Sequence, residues 1–148
     1  MRSSLSLSVD IASSPDEVYA LVCDPMAHGA MHPLVQRVEI HSSTPEETRF
    51  SVRDRVQLFG VPLSITIEAV MRPQPAERSV TFTARVGPGV RIETRYVVSP
   101  RLGGARIDER AEVQTVIPFL RRKMLRDAGA AHQALLLAFK ARLEGRAA

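Results

Sequence analysis

From Pro33 to Thr115, a stretch of about eighty residues, apolar and polar residues alternate with a period of two. The apolar positions fall in successive short runs: Val38 and Ile40; Phe50, Val52, Val56 and Leu58; Leu63, Ile65, Ile67, Ala69 and Met71; Val80, Phe82, Ala84 and Val86; Val90, Ile92, Tyr96 and Val98; Ala105, Ile107, Ala111 and Val113. STPEE, FGVP, RPQPAE, GPG and SPRLGG separate them, and their Gly, Pro and Ser content suits tight turns between antiparallel strands. The opposite parity carries Arg53, Arg55, Glu68, Arg85, Arg91, Glu93, Arg95, Arg106, Asp108, Arg110 and Glu112. One face of the sheet is therefore wet, and the other needs a cover.

The two ends supply it. Leu5, Leu7, Val9 and Ile11 alternate with Ser4, Ser6, Ser8 and Asp10, which predicts one more half-buried strand. SSPDEVYALV then predicts a helix, with Ser13 or Ser14 as cap, Pro15 in the first turn and Asp16 and Glu17 at its positive end. Asp24-Pro25 ends it, and MAHGAMHP reads equally as a helical turn or a loop. Pro118 opens a helix running to about Glu144, roughly 40 Å long, with Gly145 placed to stop it. Its apolar stripe is Leu120, Met124, Ala128, Ala131, Leu135, Phe139 and Leu143, flanked by Leu125, His132 and Leu136. The expected fold class is α+β: an antiparallel sheet of about seven strands, one or two short helices after the first strand, and a long C-terminal helix across the apolar face.

At 148 residues, 45% hydrophobic and 24% charged, the composition predicts a single folded domain spanning residues 1–148. Aromatic residues are only 5% and Trp is absent, so small side chains must fill much of the interior, and a fold packed this way can enclose a hole. Cys23 is the single cysteine, which excludes an intrachain disulfide and a cysteine-based zinc site and fits a reducing cytoplasm. No apolar run approaches the ~20 residues that span a bilayer. Twenty Lys+Arg against sixteen Asp+Glu leave +4, but the charges are dispersed.

The opening SLSVDIASSPDEVYALVCDP and the later MHPLVQRVEI resemble the first strand, capped helix and second strand of the START-like, or helix-grip, superfamily (SRPBCC proteins), which includes lipid-transfer domains and polyketide cyclases. That family often carries Trp where this chain has Ala30 and Met31. The resemblance covers nearly the whole chain and implies a curved sheet gripping the C-terminal helix, with a cavity between them.

Strand parity puts Asp54, Thr94, Tyr96, Glu109 and Thr115 on the apolar face. A carboxyl group there must meet a donor, hold its proton or face water, and the first two suit ligand recognition or proton transfer. A β-bulge would instead turn Asp54 or Glu109 outward. His132 stands on the inner stripe beside Ala128, Gly129 and Ala131, small residues expected to leave space above the sheet. The expected ligand-binding set is thus Asp54, Thr94, Tyr96, Glu109, Ala128 and His132, with Met31 and Met124 as adaptable apolar contacts; Asp54, Glu109 and His132 are the candidates for catalysis.

His28 and His32 would share a helix face, yet no Asp, Glu or Cys at ligand spacing completes a metal site, so neither metal nor cofactor is expected. The chain lacks a glycine-rich phosphate loop, a nucleophile elbow, and the basic stripe with exposed aromatics that nucleic acid needs. Arg121, Arg122, Lys123 and Arg126 crowd the start of the long helix against its dipole, which suits either a solvated basic face or contact with an anionic head group or membrane surface. The leading expectation is binding or carriage of a small hydrophobic molecule (a lipid, a polyketide or a quinone-like compound). A cyclase or dehydratase using the same polar residues is the alternative, and a homodimer stays open.

Overall fold

A computed structural model describes residues 2–58, 60–86 and 89–146. The chain runs β1 (Arg2–Ile11), α1 (Pro15–Val22), α2 (Pro25–Met31), β2 (Val35–Ser43), β3 (Thr48–Leu58), β4 (Val61–Gln74), a 3-10 turn (Pro75–Glu77), β5 (Ser79–Arg85), β6 (Val90–Arg101), β7 (Gly104–Thr115) and α3 (Pro118–Arg146). The seven strands form one antiparallel sheet in the order β1-β7-β6-β5-β4-β3-β2. Consecutive hairpins from β2 to β7 build it, and β1 closes onto β7, so the two elements that bracket α1 and α2 lie at opposite edges.

Period-two patterning sets the face. Phe50, Ala69, Met71, Val80, Tyr96, Val98, Ile107 and Val113 are buried on one side, joined by Val18 and Val22 of α1 and by Leu135, Leu136, Phe139 and Leu143 of α3. On the other side, Asp10 and Arg106 are register partners and form an ion pair with 2.8 Å between Nε and Oδ1. That is the cross-strand charge pairing the alternation predicts. The expected helix-grip arrangement is present: α3 packs against β1 and β7, while α2 packs against β2.

Local differences from the sequence expectation have physical causes. MAHGAMHP forms a helix, because Asp24 caps α2 through its side chain to the N–H groups of Met26 (3.0 Å) and Ala27 (3.3 Å). At α1 the cap is Ser14, which accepts from Glu17 N–H. β4 continues through Arg72, Pro73 and Gln74 instead of ending at Met71, since all three keep partners on β5. Ile40 is 40% exposed although it faces buried Phe50: β2 is the free edge of the sheet, and two register shifts bend it away. Gly145 does not stop α3, which runs on to Arg146; among the described residues outside its own helix turn nothing lies within 4 Å of where a Cβ would stand, and the helix passes through it. The GPG turn (Gly87, Pro88), Phe59 of FGVP and the side chain of Leu120 lie outside the described residues.

Candidate functional site

Because α3 covers the β1–β7 side and α2 leans on β2, a cleft stays open between the two helices and strands β3 to β6. It holds about 160 Å³. Val35, Val38, Phe50, Val52, Ile67, Ala69, Phe82, Ala84, Ile92 and Leu135 supply apolar walls, and Asp54, Thr94, Tyr96, His28, His32 and His132 supply the polar groups. No lysine or arginine is among those lining residues.

Behind the wall stands Glu109, 2% exposed, on the inner face of β7 and directly opposite Tyr96 in the ladder. Its Oε2 meets Nδ1 of His132. A carboxylate there orients the ring with Nδ1–H toward Glu109, which leaves Nε2 as the working atom of His132. The other carboxylate oxygen, Oε1, is buried without a hydrogen-bond partner. Burial, and then the charge of Glu109, hold the Tyr96 phenol well above its ordinary pKa, so it stays protonated.

Asp54 enters from β3 on the other side of the cleft, and its Oδ1 is also buried without a partner. Burial raises its pKa from 3.8 to about 6, with His132 acting in the opposite direction.

Two further imidazoles come from α2 and its C-terminal cap. His28 Nε2 donates to Val22 O at 2.7 Å, and its ring lies among Phe82, Tyr96 and Phe139 with centroids 4.8, 5.6 and 5.1 Å away. His32 Nδ1 accepts from Leu34 N–H at 3.2 Å, so Nδ1 carries no proton and the ring is neutral. The His32 ring meets that of His132 edge-on, centroids 5.6 Å apart. Burial lowers both His28 and His32 to about 4; like charge from His132 is the next cause for His32.

The structure thus brings Asp54, Thr94, Tyr96 and His132 together in the cleft and puts Glu109 immediately behind them. Met124 and Ala128 are half-buried on α3, outside this lining, and Met31 packs against the core. Sequence reasoning missed His28 and His32 as cleft residues, although their spacing of four is a signal that they share a face; that spacing points as readily to a metal pair. Among the described residues no group of three or more His, Cys, Asp or Glu side chains is arranged to hold a metal ion. Of the basic residues on α3, Lys123 pairs with Asp127 at 2.7 Å, Arg121 is half-buried, and Arg122 and Arg126 are exposed. Cys23, half-buried at the end of α1, has its thiol pKa raised chiefly by burial.

A curved sheet gripping a C-terminal helix over an apolar cleft defines a helix-grip protein. The chain belongs to the family described as polyketide cyclase / dehydrase and lipid transport, whose model matches residues 2–144. The fold is shared with a protein from Thermus thermophilus, at 19% identity and a TM-score of 0.78 over 99% of this chain and 100% of that one. It is shared with the Zhui aromatase/cyclase from a Streptomyces species, at 19% identity and a TM-score of 0.77 over 100% and 97% of the two chains. Norcoclaurine synthase from Thalictrum flavum is similar too, at 14% identity and a TM-score of 0.75 over 100% and 98%. No curated protein matches the sequence.

Proposed function

We propose that this chain binds a small, mainly apolar molecule in the cleft between the sheet and α3. The observation that carries it is the lining itself: continuous apolar and aromatic walls with a few convergent polar groups, the character of a ligand site. Affinity comes mainly from apolar ligand surface removed from water, about 25 cal/mol per Å² before the costs of association. Asp54, Thr94, Tyr96 and His132 set orientation, with Glu109 holding His132. Native mass spectrometry of protein purified from its own host tests this, with thermal shift across apolar ligands alongside. A retained ligand mass or a raised melting temperature is expected; an empty protein that no apolar ligand stabilises contradicts it.

A second reading, an enzyme of the cyclase or dehydratase type, is favoured by the Glu109–His132 pair facing Asp54 across the cleft. His132 Nε2 would take a proton and Asp54, still protonated below about pH 6, would give one. Turnover of a candidate substrate that survives Asp54→Asn, Glu109→Gln and His132→Ala unchanged removes this mechanism.

A membrane-surface contact through Arg121, Arg122 and Lys123 belongs to the same proposal, supported by Val116 and Phe119 beside them, 80% and 65% exposed. Anionic liposomes that retain the wild-type protein but not its charge-reversed variant support it, and liposomes that ignore both end it. Among the described residues no helix is long and apolar enough to cross a membrane. We propose a cytoplasmic location, with which the single cysteine is compatible, and a homodimer that sedimentation would test.

A further inference from the structure

The polar groups of the cleft are unequal in charge. Asp54 from β3 and Glu109 from β7 are carboxyl groups, Tyr96 from β6 is a phenol, and His28, His32 and His132 from α2, its cap and α3 are imidazoles. His32 is neutral by its hydrogen bond from Leu34, and His28 spends its Nε2 proton on Val22 O. The Glu109–His132 pair carries a charge of −1 with one shared proton and zero with two. Asp54 adds a further negative charge when ionised, and among the described residues no lysine or arginine lines the cleft to offset it. In either protonation state of the pair, the ionised site is therefore negative; of its two unpartnered carboxylate oxygens, Glu109 Oε1 and Asp54 Oδ1, the second belongs to the residue that lines the cleft. A buried carboxylate in that position gains most from a cation that also donates a hydrogen bond.

Size sets the second limit. A cavity of about 150 Å³ takes one benzene ring. The cleft, at about 160 Å³, matches a single ring, with Phe50, Phe82 and Tyr96 to pack against it. A fused ring system or an acyl bundle would extend past it through the open mouth of the cleft.

We propose that the part of the ligand entering the cleft is a single ring, or a chain end of that size, bearing a protonated amine that is held by Asp54 against the aromatic wall. This rests on the cleft being a binding site and narrows what it binds. Since burial lifts the Asp54 pKa to about 6, the preference fades as the pH falls below that value and the carboxyl group takes its proton.

Calorimetric titration with four probes tests it: benzylamine, benzyl alcohol, benzoate and naphthylmethylamine. At pH 7.5 benzylamine is expected to bind at least ten-fold more tightly than benzyl alcohol, with benzoate and the two-ring amine weaker still. Asp54→Asn should abolish the advantage of the amine over the alcohol, and a wild-type circular dichroism spectrum with a cooperative melt shows that the variant folds. At pH 5 the wild type should lose most of its preference. An amine that binds no better than the alcohol, a preference that survives Asp54→Asn, or equal binding of the two-ring amine overturns the inference while leaving the cleft a binding site. Failure of every single-ring probe to bind overturns both.

Discussion

Glu109 and Asp54 share the inner face of the sheet, yet only Glu109 has a partner. His132 Nδ1 occupies one of its oxygens, so His132→Ala leaves a fully buried carboxylate alone, at a cost of about 3 kcal/mol. Glu109→Gln keeps an acceptor for the imidazole and should cost about 1 kcal/mol. Urea unfolding of the two variants checks the ranking; equal losses would contradict the pairing. The imidazoles of α2 and its cap set the pH dependence. His28 and His32 sit near 4 in the folded protein against 6.5 unfolded, so the unfolded chain takes up more protons between those values. Stability is lost as the pH falls from about 6.5 to 4, by about 2 kcal/mol apiece after discounting for their partial exposure. Asp54 acts in the reverse sense: its folded pKa is raised above 3.8, so its contribution is greatest at low pH and fades as pH rises toward 6. Melting temperatures across this range should therefore show a shallower acid slope for His32→Gln and a steeper one for Asp54→Asn. A slope unchanged in both contradicts the assignment. Strand parity alone placed Asp54, Thr94, Tyr96 and Glu109, because the β3–β4 and β6–β7 ladders run without a register shift. His28 and His32 escaped it, since their role comes from how α2 docks and not from its own sequence.

That docking is decided by glycine as much as by the apolar residues of α2. A Cβ on Gly29 would stand 2.3 Å from Val38 Cγ2, so the missing side chain, which weakens the helix locally, lets α2 lie close to β2 and present its histidines to the cleft. Gly104, at the start of β7, is tighter: a Cβ there meets the carbonyl oxygen of Ile11 at 2.1 Å, backbone that cannot turn aside. Gly104→Ala should cost about 3 kcal/mol by denaturant unfolding, the upper end of overpacking. Gly145 lies inside α3 with open space around it, so Gly145→Ala should leave stability unchanged or raise it by up to about 1 kcal/mol. A loss there would restore the stop signal that the sequence suggested. Strand boundaries were legible because turn chemistry punctuates them. The true ends of β4 and α3 were not, because pairing with β5 and the absence of any neighbour at Gly145 are tertiary facts.

The scarcity of aromatic residues pointed to a hole above the sheet, and the molecule has one, although its walls differ from those expected. Ala128 lies outside the lining, and Gly129 faces β1, where an added Cβ would stand 3.9 Å from Leu5 Cδ2. The α3 contribution comes instead from His132 and Leu135, and three of the few aromatic rings, Phe50, Phe82 and Tyr96, gather at the cleft. Order of elements and face of the sheet follow from periodicity; the volume left between α2 and α3 depends on how both helices settle on the sheet, which no local pattern records. Another hollow, of about 570 Å³, lies on the outer face among Arg49, Arg72, Arg85 and Arg91, and it offers an internal control. The most direct measurement is an NMR titration with benzyl alcohol, following the imidazole signals of His28, His32 and His132 and the methyl groups of Leu135, Val38 and Val52. Saturable shifts confined to these groups are predicted. Shifts on the outer-face arginines alone, or none at all, would contradict a binding site between the sheet and α3.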